Sequence, residues 1–125
     1  MKALILCLLS YLLLAAPGQK IPDEMYQKWY HSHEESDSDV KVYRPETYDF
    51  PPTRAREAIE FRKDGTFSEF RTSPADGWIE HKGKFVKKKG SKYLVTIEEP
   101  TSETYIYEVL TLTDSILKVN ITSKK

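Results

Sequence analysis

Two histidines separated by one residue, His31 and His33, are the first residues in the chain whose spacing suits metal chemistry. Side chains two apart on a β-strand point to the same side, so both imidazoles could bind one ion, with His81 as a third ligand from another strand. A structural zinc site takes four protein ligands, which this pattern does not supply. A solvated strand end accounts for the pair more simply. We therefore predict no metal site and keep a histidine-based metal binder only as an alternative.

Three arginines, Arg44, Arg54 and Arg56, lie in or beside a proline-rich segment that also carries tyrosine and phenylalanine, RPETYDFPPTRAR. A guanidinium group binds a carboxylate through two parallel hydrogen bonds, so these side chains could hold an anionic ligand. The alternative interpretation is a set of structural ion pairs that pin the segment to the rest of the domain. The available partners are Glu34, Glu35 and Glu57.

Acidic side chains are too scattered to predict catalysis. Glu60, Asp64, Glu69 and Asp76 could act as paired acids, but nothing in the pattern places two of them in one cleft. The chain has no Gly-x-Ser-x-Gly motif, no His-Glu-x-x-His motif and no phosphate-binding loop. We predict that the protein is not an enzyme and that it uses no cofactor.

Charged side chains balance, with 19 lysines and arginines against 19 aspartates and glutamates. No long-range field then steers nucleic acid toward the protein, and we expect no nucleic-acid partner. Six lysines nevertheless fall in one stretch: Lys82, Lys84, Lys87, Lys88, Lys89 and Lys92. They could bind a polyanion such as a sulfated glycan, or they could solubilise turns and protect strand edges.

The first eighteen residues predict secretion. Lys2 precedes an uncharged apolar run at 3–16, and Ala16-Pro17-Gly18 provides the small residues that signal peptidase requires. As a helix this run spans only ~21 Å, short of the ~30 Å hydrocarbon core of a bilayer. We predict a signal peptide at 1–18, a single domain at 19–125, an extracellular location and no membrane span.

Secretion would leave the domain without disulfide bonds, because Cys7 is the only cysteine and lies in the predicted signal peptide. Stability must then come from apolar burial and backbone pairing. Asn120-Ile121-Thr122 is an N-glycosylation acceptor, and we predict Asn120 as the glycosylated residue.

From Glu57 onward, apolar and polar side chains alternate in short runs separated by turn residues. Asp64-Gly65 predicts a two-residue hairpin turn between two such runs. A helical period of 3.6 residues is absent. Seven or eight strands spaced about a dozen residues apart predict an all-β antiparallel meander. Such a meander removes its exposed edges by closing into a small up-and-down barrel.

The order of motifs in this part of the chain is Phe61, Asp64-Gly65-x-Phe67, Trp78, Gly83-x-Phe85, Tyr93-x-Val95-x-Ile97, Tyr107-x-Val109-Leu110-Thr111-Leu112 and Ile116-Leu117-x-Val119. In this order, residues 57–121 resemble lipocalin-like domains. The chain departs from them because Gln27 and Lys28, not a glycine, precede Trp29, and because no long helix follows the barrel. The resemblance implies a closed barrel whose mouth binds a small apolar ligand.

We therefore predict a secreted, non-catalytic binding protein. The first hypothesis is a carrier of a small apolar or amphipathic ligand inside a lipocalin-like barrel. Its candidate ligand-binding residues are Trp29, Arg44, Arg54, Phe61, Phe67, Phe85, Tyr93 and Tyr107. In so small a barrel these aromatic side chains could also fill the interior completely. The alternative is an extracellular interaction or matrix module that binds a protein or a polyanion through its outer surface and residues 44–56.

Overall fold

The computed structural model describes residues 20–53, 55–75 and 77–123, so the predicted signal peptide and Arg54 lie outside the described residues. The described chain contains a 3₁₀-helix, Asp23–Met25, followed by strands only. The strands are β1 (Lys28–His31), β2 (Lys41–Arg44), β3 (Ala58–Phe61), β4 (Thr66–Thr72), β5 (Trp78–Lys87), β6 (Lys92–Glu99), β7 (Glu103–Leu112) and β8 (Leu117–Ser123). Across these described ranges, no helix has the length and apolar character needed to cross a bilayer.

The eight strands pair antiparallel and close into a barrel, which confirms the predicted all-β meander. Strands β3 to β8 follow one another around the wall in chain order. Strand β8 then pairs with β2, β2 with β1, and β1 with β3. The order therefore departs from a strict up-and-down arrangement at one place, where β1 and β2 are exchanged. Closure gives each strand a partner on both sides and leaves no exposed edge.

The exchange of β1 and β2 explains the proline-rich segment, residues 45–57, which we call the strap. Arg44 at the end of β2 and Ala58 at the start of β3 both pair with Tyr30, from opposite sides of β1. The strap must therefore cross β1. It does so on the outer face, where Phe50 packs edge-on against Tyr30 with 6.3 Å between ring centroids. Prolines suit this position because the N–H groups of the described strap residues, 45–53 and 55–57, do not donate to a strand ladder.

The turn between β3 and β4 is one residue longer than the sequence predicts. The backbone N–H of Arg62 donates to the carbonyl of Thr66, which leaves a three-residue loop at 63–65. Gly65 occupies the left-handed region with φ of 88°, as the last residue of such a loop requires. The Asp64 carboxylate accepts hydrogen bonds from the backbone N–H and the hydroxyl of Thr66, at 3.0 and 2.6 Å. These two hydrogen bonds between Asp64 and Thr66 favour the three-residue loop over a two-residue turn.

The core is the inside of the barrel, and alternation along the strands, interrupted by register shifts in the β5–β6 and β7–β8 pairs, supplies it. Most apolar side chains that face inward are buried, whereas their neighbours in sequence lie on the outer wall. The buried cluster comprises Met25, Trp29, Tyr43, Ile59, Phe61, Phe67, Phe85, Tyr93, Val95, Ile97, Tyr107, Leu117 and Val119. These are the large apolar side chains whose burial stabilises a domain that has no disulfide bond among its described residues.

The N-terminal segment packs across one end of the barrel. Met25 in the 3₁₀-helix is completely buried, and its carbonyl accepts a 3.2 Å hydrogen bond from the indole nitrogen of Trp29. Ile21 and Tyr26 pack against the same cluster. The first residues of the described chain therefore cover one end, and the opposite end is the one where side chains can meet solvent.

Candidate functional site

The strap is held down by two bidentate ion pairs. Arg44 donates to the two carboxylate oxygens of Glu35 at 3.0 and 2.7 Å. Arg56 donates to those of Glu34 at 2.8 and 2.6 Å, and its guanidinium lies 4.3 Å from the ring centroid of Phe50. Hydrogen bonds from these guanidinium groups lower the pKa of Glu34 and of Glu35 to about 2. The structure therefore places Arg44 in a structural ion pair.

Arg56 also binds two backbone carbonyls, one in β1 and one within the strap. It donates to the carbonyl of His31 at 3.1 Å and to the carbonyl of Pro51 at 2.8 Å. The indole nitrogen of Trp78 in turn donates to the carbonyl of Arg56 at 2.5 Å. Because it is buried and joins β1, the strap and β5, Arg56 is a structural residue.

His31 and His33 do not form a metal site with other described residues. Their ring centroids are 6.3 Å apart, but His31 hydrogen-bonds to the hydroxyl of Ser36 while His33 lies near Glu34. Burial, followed by the charge of Lys41, lowers the pKa of His31. Within the described ranges, no group of three or more potential ligands has metal-binding geometry.

The structure brings the six predicted aromatic side chains together inside the barrel. Phe61 is at their centre. Its ring centroid lies 5.0 Å from Phe67, 5.0 Å from Phe85, 6.3 Å from Tyr93 and 6.1 Å from Tyr107, and three of these four contacts are edge-on. Such spacing is that of rings in direct contact. Trp29 belongs to the same buried cluster.

Above this aromatic layer, at the end away from the 3₁₀-helix, the interior becomes polar. We call the inward-facing set Glu69, Arg71, His81, Glu103 and Tyr105 the polar mouth. Pairing fixes its orientation: Glu69 lies opposite buried Ile59 and opposite His81, while Glu103 lies opposite buried Ile97. Residues directly opposite one another share a face, so these polar side chains point into the barrel.

An ion pair crosses the opening of the polar mouth. Arg71 on β4 donates to Glu69 on its own strand at 3.0 Å and to Glu103 on β7 at 2.9 Å, although β5 and β6 separate the two strands. The hydroxyl of Tyr105 donates to the same Glu103 oxygen. The hydrogen bonds from Tyr105 and then Arg71 lower the pKa of Glu103 to about 2. Glu103 is therefore ionised at neutral pH, and it shares the guanidinium of Arg71 with Glu69.

His81 completes the polar mouth with an unpartnered atom. The residue is only 8% exposed, and its Nδ1 has no hydrogen-bond partner among the described residues. Leaving a buried polar atom unpaired costs about 1–3 kcal/mol. A ligand that hydrogen-bonds to this atom would recover that cost.

The outer wall carries a second polar surface. A depression of about 410 Å³ opens over β4 and β5, with fully buried Ser68 at its base donating to Glu80 at 2.6 Å. Its charged lining residues are Arg62, Glu80, Lys82, Lys84 and Glu98. The remaining four lysines of the basic stretch continue from this depression along the β5–β6 hairpin.

Asn120 faces outward on β8, as its place in an alternating strand requires. Its side-chain amide donates to the carbonyl of Asp39 at 2.7 Å, so a glycan here would replace this bond to the β1–β2 loop. Glycosylation at Asn120 stays a prediction.

The polar mouth is not among the sites predicted from sequence, although part of its signal is present there. Phe67 was assigned to the interior, and period-two alternation then places Glu69 and Arg71 on the same face. Nothing local indicated that Glu103, 32 residues after Arg71, would lie across the opening from it.

Comparison of the chain with protein-family models, with curated proteins and with solved structures finds no match.

Proposed function

We propose that the chain is a secreted, non-catalytic binding protein that uses the outside of its barrel, and that the β5–β6 hairpin binds sulfated polysaccharides. The observation that carries this proposal is the charge of the hairpin. Between Glu80 and Glu98 the sequence contains six lysines and no acidic residue. Five of these lysines are exposed, and Lys87 is half-buried.

The hairpin presents five of these charges on its outer face and turn, whereas Lys87 lies opposite buried Tyr93 and donates to the carbonyl of Lys20. Lys82 and Lys84 face outward on β5, next to the depression over β4. Within the described ranges, no carboxylate lies within 4 Å of either ammonium group. Lys88 and Lys89 form the turn, and Lys92 begins β6. A flexible, highly charged polymer can contact such a wall without entering a cavity.

The packed interior supports an outer contact surface. The six aromatic side chains expected to line a ligand cavity are buried against one another, with Phe61 in contact with four rings. An apolar ligand would have to displace them. The carrier of an apolar ligand therefore stays a prediction and takes second place to the surface module. The proposed relationship to lipocalins rests on the eight-stranded closed barrel and on the motif order of residues 57–121.

Heparin-affinity chromatography of the mature protein tests the proposal. We expect retention that disappears as salt screens the charges. Replacing Lys88 and Lys89 in the turn by alanine should weaken binding by roughly two- to thirtyfold, because exposed ion contacts are worth about 0.2–1 kcal/mol each. The matched control replaces Lys28 and Lys118 by alanine, which removes the same charge from the outer faces of β1 and β8, away from the hairpin.

Equal losses in the two double variants would mean that net charge alone governs retention, and would contradict a hairpin site. Absence of retention at low salt would also contradict it. In a parallel assay, uptake of a fluorescent fatty acid with quenching of tryptophan emission would instead support the apolar-ligand carrier.

A further inference from the structure

We propose that the polar mouth is a second binding site, independent of the hairpin, and that it takes a small organic cation bearing a primary ammonium group. Three features of the described residues support this inference: uncompensated negative charge, an unpartnered buried nitrogen and neutral aromatic surroundings.

The charge balance of the polar mouth is negative. Glu69 and Glu103 supply two carboxylates, whereas Arg71 supplies one guanidinium. Although burial lowers the pKa of Arg71, its hydrogen bonds to Glu103 and Glu69 raise it above the ordinary value, so the guanidinium stays charged. Glu57, the residue before β3, and Lys41, the first residue of β2, lie at this same end and contribute opposite charges. Counted over the described residues, the polar mouth therefore carries a net charge of about −1, which favours a cation.

Solvent reaches these carboxylates, since the side chains of Glu69 and Glu103 are 23% and 26% exposed. The described contacts of Glu69 with Arg71 use one carboxylate oxygen, Oε1. Its second oxygen is thus available to accept a hydrogen bond. An ammonium group has three N–H donors and can use this acceptor.

His81 supplies the second acceptor. It lies directly opposite Glu69 on the inner face, and its Nδ1 is buried without a partner among the described residues. In the tautomer protonated at Nε2, Nδ1 accepts a hydrogen bond. One ammonium group between these two side chains would satisfy both the free carboxylate oxygen and the orphaned nitrogen. An anionic ligand would face the two carboxylates and has no hydrogen to donate to the free oxygen of Glu69.

Tyrosine rings form the rest of the site. Burial raises the pKa of Tyr43 and of Tyr107, and the charge of Glu69 raises both further, so these phenols remain neutral at physiological pH. Tyr105 is fixed at the rim by its bond to Glu103. Neutral aromatic rings attract ammonium groups.

The experiment compares three probes of one shape on the full mature chain: 2-phenylethylammonium, 2-phenylethanol and phenylacetate. Isothermal titration measures affinity, and NMR of the histidine side chains reports on the imidazole of His81. We expect the ammonium probe to bind and to shift the His81 resonances, and the other two to bind at least tenfold more weakly.

The variant Glu69→Gln removes the charge and keeps the shape. It should weaken binding of the ammonium probe about tenfold or more, in line with the loss of a charge-assisted hydrogen bond. Glu98→Gln is the matched control on the outer wall and should bind as the wild type does. Circular dichroism and melting temperature establish that both variants fold.

Several results would overturn the inference. One is binding of phenylacetate in preference to the amine, which would make Arg71 an anion site. Another is equal loss of binding in Glu69→Gln and Glu98→Gln. The inference also fails if millimolar ammonium probe does not shift the His81 resonances of the wild-type protein. This test does not depend on whether the variants fold. Heparin retention tests the hairpin separately, so either site can fail alone.

Discussion

Adding a single methyl group at Gly83 should strongly destabilise the barrel. Gly83 faces the interior of β5, opposite Phe67 on β4 and Ile97 on β6, and a register shift lies between Lys82 and Gly83. A Cβ atom built on Gly83 would lie 2.8 Å from the Cα of Ile97 and closer still to the carbonyl oxygen of Thr96. Both neighbours are backbone, so no side-chain rotation relieves the contact.

The variant Gly83→Ala must therefore separate β5 from β6 where they pass closest. Overpacking of this kind costs about 1–3 kcal/mol or more, and backbone displacement puts Gly83→Ala at the upper end, near 3 kcal/mol. A domain of this size loses roughly 4–8 °C of melting temperature per kcal/mol. We expect a decrease of about 12–24 °C. Urea denaturation followed by tryptophan fluorescence measures the same loss at constant temperature.

Gly90→Ala is the matched control. Gly90 has a φ of 69°, but an added Cβ there would meet nothing within 4 Å. Gly90→Ala should therefore lower the free energy of unfolding by only about 1–2 kcal/mol, because alanine is disfavoured in this left-handed backbone conformation. If Gly83→Ala proved no more destabilising than Gly90→Ala, the close approach of β5 and β6 would not exist in solution, and the register of the barrel wall would need revision.

Two further predictions concern stability. Glu34, Glu35 and Glu103 have pKa values near 2 in the folded chain, against an ordinary value of 4.5. Their ionised forms therefore stabilise the fold fully above about pH 4.5, and this stabilisation is lost as the pH falls toward 2. Urea denaturation across this range should show the decline, and a flat profile would contradict the ion pairs. Phe61→Ala should cost about 3–5 kcal/mol because it removes the ring at the centre of the aromatic cluster. Phe70→Ala, on the outer face of β4, should cost clearly less, and equal losses in chemical denaturation would refute the interior assignment.

The sequence by itself determined the strand content and the inner face of most strands. Alternation with a period of two assigns Phe61, Phe67, Phe85, Tyr93 and Tyr107 to one surface, and the structure buries all five. This success has a local cause, because successive side chains on a strand must point to opposite faces whatever the strand pairs with. The predicted all-β meander follows from the same local rule and from the turn residues between runs.

Only the tertiary structure decided which strands meet. The exchange of β1 and β2 is not encoded in any local pattern, and it alone makes the strap cross the outer face of β1. The polar mouth depends on closure in the same way. Alternation places Arg71 and Glu103 on inner faces, but the number of strands and their register bring the two across the opening from each other. Contacts between distant strands are set by how the whole sheet closes, which no single stretch of sequence specifies.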